Sequence, residues 1–137
     1  MHLNIKKVTN KLGNLFFIEG GRDIPFEIKR IYYITDVPGG EVRGHHAHKS
    51  LQQILIAIKG KIIITLDNGK KEKKVLLDSP EKALYIPGGV WRTMQWLDSD
   101  SILLVLASDY YDENDYIRDY EIFRKMVDEG FWNGSFI

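Results

Sequence analysis

The chain has 137 residues, 44% hydrophobic and 12% aromatic, with 19 Lys+Arg set against 19 Asp+Glu. This length suits one domain with its own core, and the balanced charge argues against a nucleic-acid surface, which carries a basic stripe. There is no cysteine, which excludes thiolate metal sites, thiol nucleophiles and disulfides. No run approaches the roughly 18 apolar residues of a membrane span, and MHLNIKKVTNKLGNLFF has no apolar signal core. A cytoplasmic protein with neither membrane nor nucleic-acid partner is the expectation.

Most of the chain reads as short strands. KRIYYITDV alternates and stops at Pro38-Gly39-Gly40; the histidine-rich GEVRGHHAHKS follows. LQQILIAIKG is β-branched and ends at Gly60, and KIIITLDNG runs into Asn68-Gly69, a strong hairpin signal. Lys70, Lys71, Lys73 and Lys74 surround that turn and read as its solvated tip. KKVLLDSP, KALYIPGG, WRTMQWLD and SILLVLASD complete a series whose turn signals, about 8–12 residues apart, indicate a sandwich or closed barrel.

From Asp112 onward the period changes. In DENDYIRDYEIFRKMVDEG, Tyr116, Tyr120, Phe123 and Val127 fall at helical spacing, with Asp112 as a capping residue and Gly130 as a stop. The chain is therefore expected to be a mainly β single domain over 1–137, a barrel over about 1–110 and a C-terminal α-helix over about 113–129. The aromatic stripe would pack on the barrel or on a partner subunit.

His46 and His48 lie two apart on an extended segment, so their side chains share a face, and His45 points the other way. If that face is the interior of a small barrel, both imidazoles look into a pocket mouth, where such barrels hold ligands.

The order Gly40, His46-Ala47-His48, Gln53, Gly60 resembles the first cupin motif, in which two histidines and a glutamate bind metal. PGGVWR resembles the second motif at Pro87 and Gly89, with Arg92 where a third histidine belongs and Gln53 where the glutamate belongs. Arginine offers no lone pair and stays charged, so these departures favour an anion or oxyanion over a metal. RGHHAHKSLQQ, LYIPGGVWR and VLASDYYDENDYIRDY together resemble the cupin-fold nucleotide-sugar 3,4-ketoisomerases. That resemblance implies a cupin, an RmlC-like jelly roll, and dTDP-4-keto-6-deoxy-D-glucose as substrate. It also implies a ketone moved from C4 to C3 towards 3-amino-3,6-dideoxysugars of lipopolysaccharide or S-layer glycans, no cofactor, no metal, and a homodimer. The dTDP-sugar 3,5-epimerases share an Arg-Gly-x-His element with Arg43, Gly44 and His46 but lack a counterpart of His48.

Ketone migration between neighbouring carbons needs a base at C3, a stabilised enediolate and an acid at C4, and imidazole serves as both base and acid near neutrality. His46 and His48 are the candidates for proton transfer, their separate roles open. Arg43 would stabilise the enediolate or hold a diphosphate oxygen through its donor fork, unless Arg43-Gly44 is a surface turn. Gln53 would bond a sugar hydroxyl or fix a histidine tautomer. Arg92 would grip diphosphate or pair with a carboxylate. Trp91 and Tyr85 would lie on the thymine or sugar ring, or in the core. Arg30 and Tyr32 share one face of their strand and Tyr33 the other, so Arg30 with Tyr32, or Tyr33, would line the site, depending on which face looks inward. Asn14 and Glu19 belong to an N-terminal segment that in the resembling family often contributes to the nucleotide-sugar site. The competing readings are an epimerase-like enzyme, a non-catalytic sugar-binding cupin and a metal-dependent cupin dioxygenase.

Overall fold

A computed structural model describes residues 2–133. The strands are β1 (His2–Asn4), β2 (Lys6–Asn10), β3 (Gly13–Phe17), β4 (Arg30–Ile34), β5 (Val42–His48), β6 (Gln53–Lys59), β7 (Ile62–Asp67), β8 (Glu72–Leu77), β9 (Lys82–Ile86), β10 (Trp91–Trp96), β11 (Ile102–Ala107) and β12 (Tyr116–Ile117), followed by the helix α1 (Tyr120–Asp128). They form a five-stranded sheet in the order β1-β9-β6-β11-β4, another in the order β12-β5-β10-β7-β8, and a separate β2-β3 ribbon.

The period-two pattern of the sequence decides what faces inward. Alternate residues Ile62, Ile64 and Leu66 of β7, Val75 and Leu77 of β8, and Met94 and Trp96 of β10 meet Leu55, Ala57, Leu84, Ile86, Leu103 and Val105 of the other sheet in one core. The first sheet is buried on its outer face as well, where Ile54, Ile56, Ala83 and Leu106 pack under Ile24 and Phe26. Two buried faces explain why ILIAI and ILLVLA are continuous apolar runs rather than alternating ones. The β7-β8 hairpin turns at Asn68-Gly69, where the Asn68 side chain accepts from the Lys70 and Lys71 amides at 2.9 and 2.8 Å, and its four lysines are exposed.

The C-terminal region differs from the expected helix over 113–129. Glu113–Asp115 form a single 3-10 turn capped by Asp112, and Tyr116–Ile117 then pair with β5, Tyr116 opposite His48 and Ile117 opposite Ala47. The helix starts only at Tyr120, where the Asp119 carboxylate accepts from the Glu121 and Ile122 amides. Pairing to the open edge of β5 overrides a helical period that ran straight through the segment. Gly130, at φ +74, follows the last turn as expected. The helix lies on the outer face of the second sheet, with Phe123 fully buried against Ala47, Trp91 and Ile117. Burying such a side chain contributes roughly 1.5–3 kcal/mol.

Candidate active site

One end of the space between the sheets is polar. β5 brings His46 and His48 there, β10 brings Arg92, β6 brings Gln53 and β4 brings Arg30 and Tyr32. A simple period of two puts Arg43 on the face opposite His46, because the residues are an odd number apart. The structure resolves this with a β-bulge. Opposite the single step from Arg92 to Thr93, β5 advances two residues, so that His46 faces Arg92, Gly44 faces Thr93 and Arg43 faces Met94. The extra residue is accommodated by positive φ at Gly44 (+94) and His45 (+56), and a Cβ on Gly44 would stand 3.0 Å from the Arg92 carbonyl. Arg43 is thereby turned to the same side as His46, and both line a cleft of about 400 Å3 with Arg30, Tyr32, Tyr116 and Arg118.

His48 is held from behind. Its Nδ1 lies 3.2 Å from Asp115 Oδ2, and Asp115 is itself fixed by the Ser50 amide and hydroxyl (2.9 and 2.8 Å) and the Leu51 amide (3.1 Å). Facing a carboxylate, Nδ1 carries the proton and donates, which leaves Nε2 with a lone pair. Nε2 is buried and has no hydrogen-bond partner among the described residues. The two imidazoles meet edge-on, 4.9 Å between centroids, and the Tyr116 ring touches both, at 5.1 Å from His46 and 4.3 Å from His48.

Burial, followed by the nearby Arg92 charge, holds both rings neutral. His46 is lowered to about 4, with the Gly44 carbonyl and Glu113 pulling the other way. His48 is lowered further, the His46 ring adding to burial and Arg92. Both are therefore lone-pair bases at neutral pH.

Arg92 does not reach solvent. It is 1% exposed and donates from Nη1 to Gln53 Oε1 at 2.6 Å and from Nη2 to the Val90 carbonyl at 3.2 Å. Gln53 in turn donates from Nε2 to the Tyr32 hydroxyl at 3.0 Å. Because that oxygen accepts from Gln53, the Tyr32 proton is directed elsewhere, and the ring borders the cleft. Among the described residues no group of three or more His, Cys, Asp or Glu side chains is gathered to hold a metal, and the Arg92 charge beside the histidines opposes a dication.

The structure thus brings together His46, His48, Arg43, Gln53, Arg92 and Arg30. Arg92 and Gln53 sit behind the cleft, locked to each other, so Arg92 is not placed to grip diphosphate, and among the described residues it pairs with no carboxylate. Three other proposed contacts are not brought to the site. Tyr33 points outward from β4 and is 70% exposed, while its neighbours Arg30 and Tyr32 turn in. Trp91, adjacent in sequence to inward-facing Arg92, must face out, and it lies under α1 against Tyr120 and Phe123 at 5.1 and 5.8 Å. Tyr85 is on the outer face of the first sheet, near Phe26, and donates to Gln52 Oε1 at 2.6 Å. Asn14 and Glu19 are exposed, Asn14 accepting from Thr9 and Glu19 paired with Lys6, away from the cleft.

Three residues of the site were not singled out as site residues by spacing: Asp115, Tyr116 and Arg118. Arg118 forms a two-point pair with Glu113 (2.7 and 2.9 Å) and lies 4.2 Å from the Tyr116 ring centroid. All three come from the segment read as helix, where a strand would have put Tyr116 beside the histidines.

Two facing antiparallel sheets closed around a polar end define an RmlC-like cupin. The same fold is found at a TM-score of 0.73 in a dTDP-6-deoxy-D-glucose-3,5-epimerase from Legionella pneumophila, 14% identical over 85% of this chain and 70% of that one. More narrowly, residues 1–128 match the family model FdtA, WxcM-like C-terminal, and the chain belongs to that family. It is 47% identical, over 91% of its length and 90% of the relative's, to a TDP-4-oxo-6-deoxy-alpha-D-glucose-3,4-oxoisomerase from Aneurinibacillus thermoaerophilus. It also superposes at a TM-score of 0.92, with 44% identity and 96% coverage of both chains, on the sugar 3,4-ketoisomerase QdtA from Thermoanaerobacterium thermosaccharolyticum in complex with TDP.

Proposed function

We propose that the protein is a 3,4-ketoisomerase acting on dTDP-4-keto-6-deoxy-D-glucose, working by histidine acid/base catalysis without a metal. The observation that carries this reading is the His48 imidazole, buried, backed by Asp115 and presenting an unpartnered Nε2 beside His46. The names of the relatives support the substrate class, and the departure of Gln53 and Arg92 from a metal-ligand set supports metal independence.

In this reading His48 Nε2 takes the C3 proton, and Asp115 stabilises the imidazolium that forms. The electron pair moves into a C3–C4 double bond and the C4 carbonyl becomes an enediolate oxygen. His46 carries the proton of the C3 hydroxyl to the oxygen on C4, the C3–O bond closes to a carbonyl, and C4 receives a proton from the imidazolium after that ring has exchanged its proton with solvent. Atoms and electrons balance without an external oxidant. Arg30 and Arg43 at the cleft offset the enediolate or diphosphate charge, and the Tyr32 hydroxyl supplies a further donor.

The protein is further proposed to act as a cytoplasmic homodimer. A two-stranded ribbon is marginal by itself; β2-β3 carries exposed Val8 and Leu15, and outward-facing Ile31 and Tyr33 of β4 are also exposed. No helix among the described residues is long and apolar enough to cross a membrane. Sedimentation at micromolar concentration tests the dimer.

Proton NMR of the keto-sugar incubated with metal-stripped protein in D2O tests the activity. A 3-keto product carrying deuterium at C4 is expected. Deuterium at C3 or C5 with the ketone still at C4 would replace this reading by epimerisation, and neither product nor exchange from folded protein would replace it by binding alone.

A further inference from the structure

The loop that follows His48 is fastened from three directions. The Gly89 amide donates to the His48 carbonyl at 2.8 Å, and the Lys49 amide donates to the Asp115 carbonyl at 2.8 Å. The third fastening comes from beyond the helix, where the Trp132 indole Nε1–H donates to the Lys49 carbonyl at 2.8 Å. Trp132 is half-buried, 5.7 Å from the Phe123 ring and 4.8 Å from Phe131. It does not border the cleft.

The two glycines of Pro87-Gly88-Gly89 fit this arrangement. A Cβ on Gly88 would collide with the Lys49 carbonyl, the group Trp132 holds. A Cβ on Gly89, whose φ is +83, would lie 2.6 Å from Trp132 Cγ. The turn is thus notched twice, once for the carbonyl and once for the indole ring that binds it. A half-buried tryptophan satisfies its N–H wherever it can; here the partner is the peptide joined directly to the residue after His48. Rotation of that peptide would tilt the imidazole away from Asp115, and misplacement of a reacting group by about 1 Å can cost on the order of a hundredfold in rate.

We propose that Trp132 is a positioning residue for His48, clamping the Lys49 carbonyl and the Gly88-Gly89 turn so that the imidazole keeps its hydrogen bond to Asp115. The proposal rests on His48 as a proton-transfer group, and its test separates the two ideas.

The test uses Trp132→Phe, which keeps a ring over Gly89 and the stacking on Phe123 but removes the indole donor, alongside Trp132→Ala. Turnover is measured together with the nitrogen-15 and proton signals of His48 in the full-length protein. Trp132→Phe is expected to lower kcat roughly tenfold with KM within about twofold, to shift or broaden the His48 Nδ1–H signal, and to move its titration upward as burial loosens. The groups facing His48, namely His46, Arg92, Arg30, Tyr116, Arg118 and Asp115, are unchanged in the variant. An unaltered His48 signal and titration in both variants would overturn the proposal, even if activity fell with stability. A displaced signal with unaltered turnover would uphold the clamp and count against His48 as the base.

Discussion

The two ends of the barrel interior are differently filled. At one end Ala57, Ile62 and Leu103 are fully buried hydrocarbon. At the other His48, Gln53 and Arg92 are at most 1% exposed, each tied to a neighbour in the chain Arg92–Gln53–Tyr32 or His48–Asp115. Of the buried side-chain polar atoms lacking a partner among the described residues, Arg30 Nε, His48 Nε2 and Arg92 Nε belong to the polar end and Trp96 Nε1 does not. The apolar end therefore holds the fold together, while the polar end keeps reactive groups incompletely satisfied, at a cost in stability.

Substitutions at the two ends should separate these roles. The largest effect is expected at the polar end: His48→Asn and His46→Asn should each lower kcat by roughly two to four orders of magnitude, with circular dichroism and the melting transition near wild type. Wild-type turnover in both would remove proton transfer from this end altogether. At the apolar end, Leu103→Ala should destabilise by about 2–5 kcal/mol in denaturant titration, leaving kcat per folded molecule intact; a selective loss of kcat would mean the ends are not separable.

A smaller effect of opposite sign is expected when the buried charge is removed with its partner. Gln53→Leu combined with Arg92→Met replaces a desolvated guanidinium and an amide with side chains of similar length. It should raise stability by about 1–2 kcal/mol while reducing turnover. A less stable double variant would show that the pair supports the fold rather than the site.

The smallest effect is in acid. The folded pKa of His46, about 4, lies below the ordinary 6.5, so between those values the unfolded chain binds more protons than the folded one. The neutral ring's contribution is complete above about pH 6.5 and is lost as pH falls towards 4. His46→Asn should accordingly flatten the dependence of the denaturation midpoint on pH in that window. A midpoint profile as steep as wild type would assign the acid sensitivity to other groups.

Sequence pattern revealed the apolar end more fully than the polar one. Alternation along β7 and β10 marks Ile62, Ile64, Met94 and Trp96 as one face because burial there obeys a strict period. The same rule paired His46 with His48. It also separates Trp91 from Arg92 and Tyr85 from Ile86, so these neighbours do not share the interior. Two things escaped it. Asp115 and Tyr116 reach the histidines through pairing with β5, a long-range contact that the local helical period masked. Arg43 reaches them through a backbone irregularity whose sequence sign, Gly44 before His45, reads equally well as a turn.

That irregularity divides β5 into two stretches with one extra residue between them. On one side of Gly44-His45 the strand sets the histidines, and on the other it sets Arg43 and Val42. Deleting His45 would close the bulge into an unbroken ladder, Gly44 still opposite Thr93 and Arg43 still opposite Met94, with Arg43, His46 and His48 all keeping their inward face. The extra residue thus works as a spacer: it lets an odd interval in the sequence set the cationic wall and the proton-transfer wall on the same side of one strand.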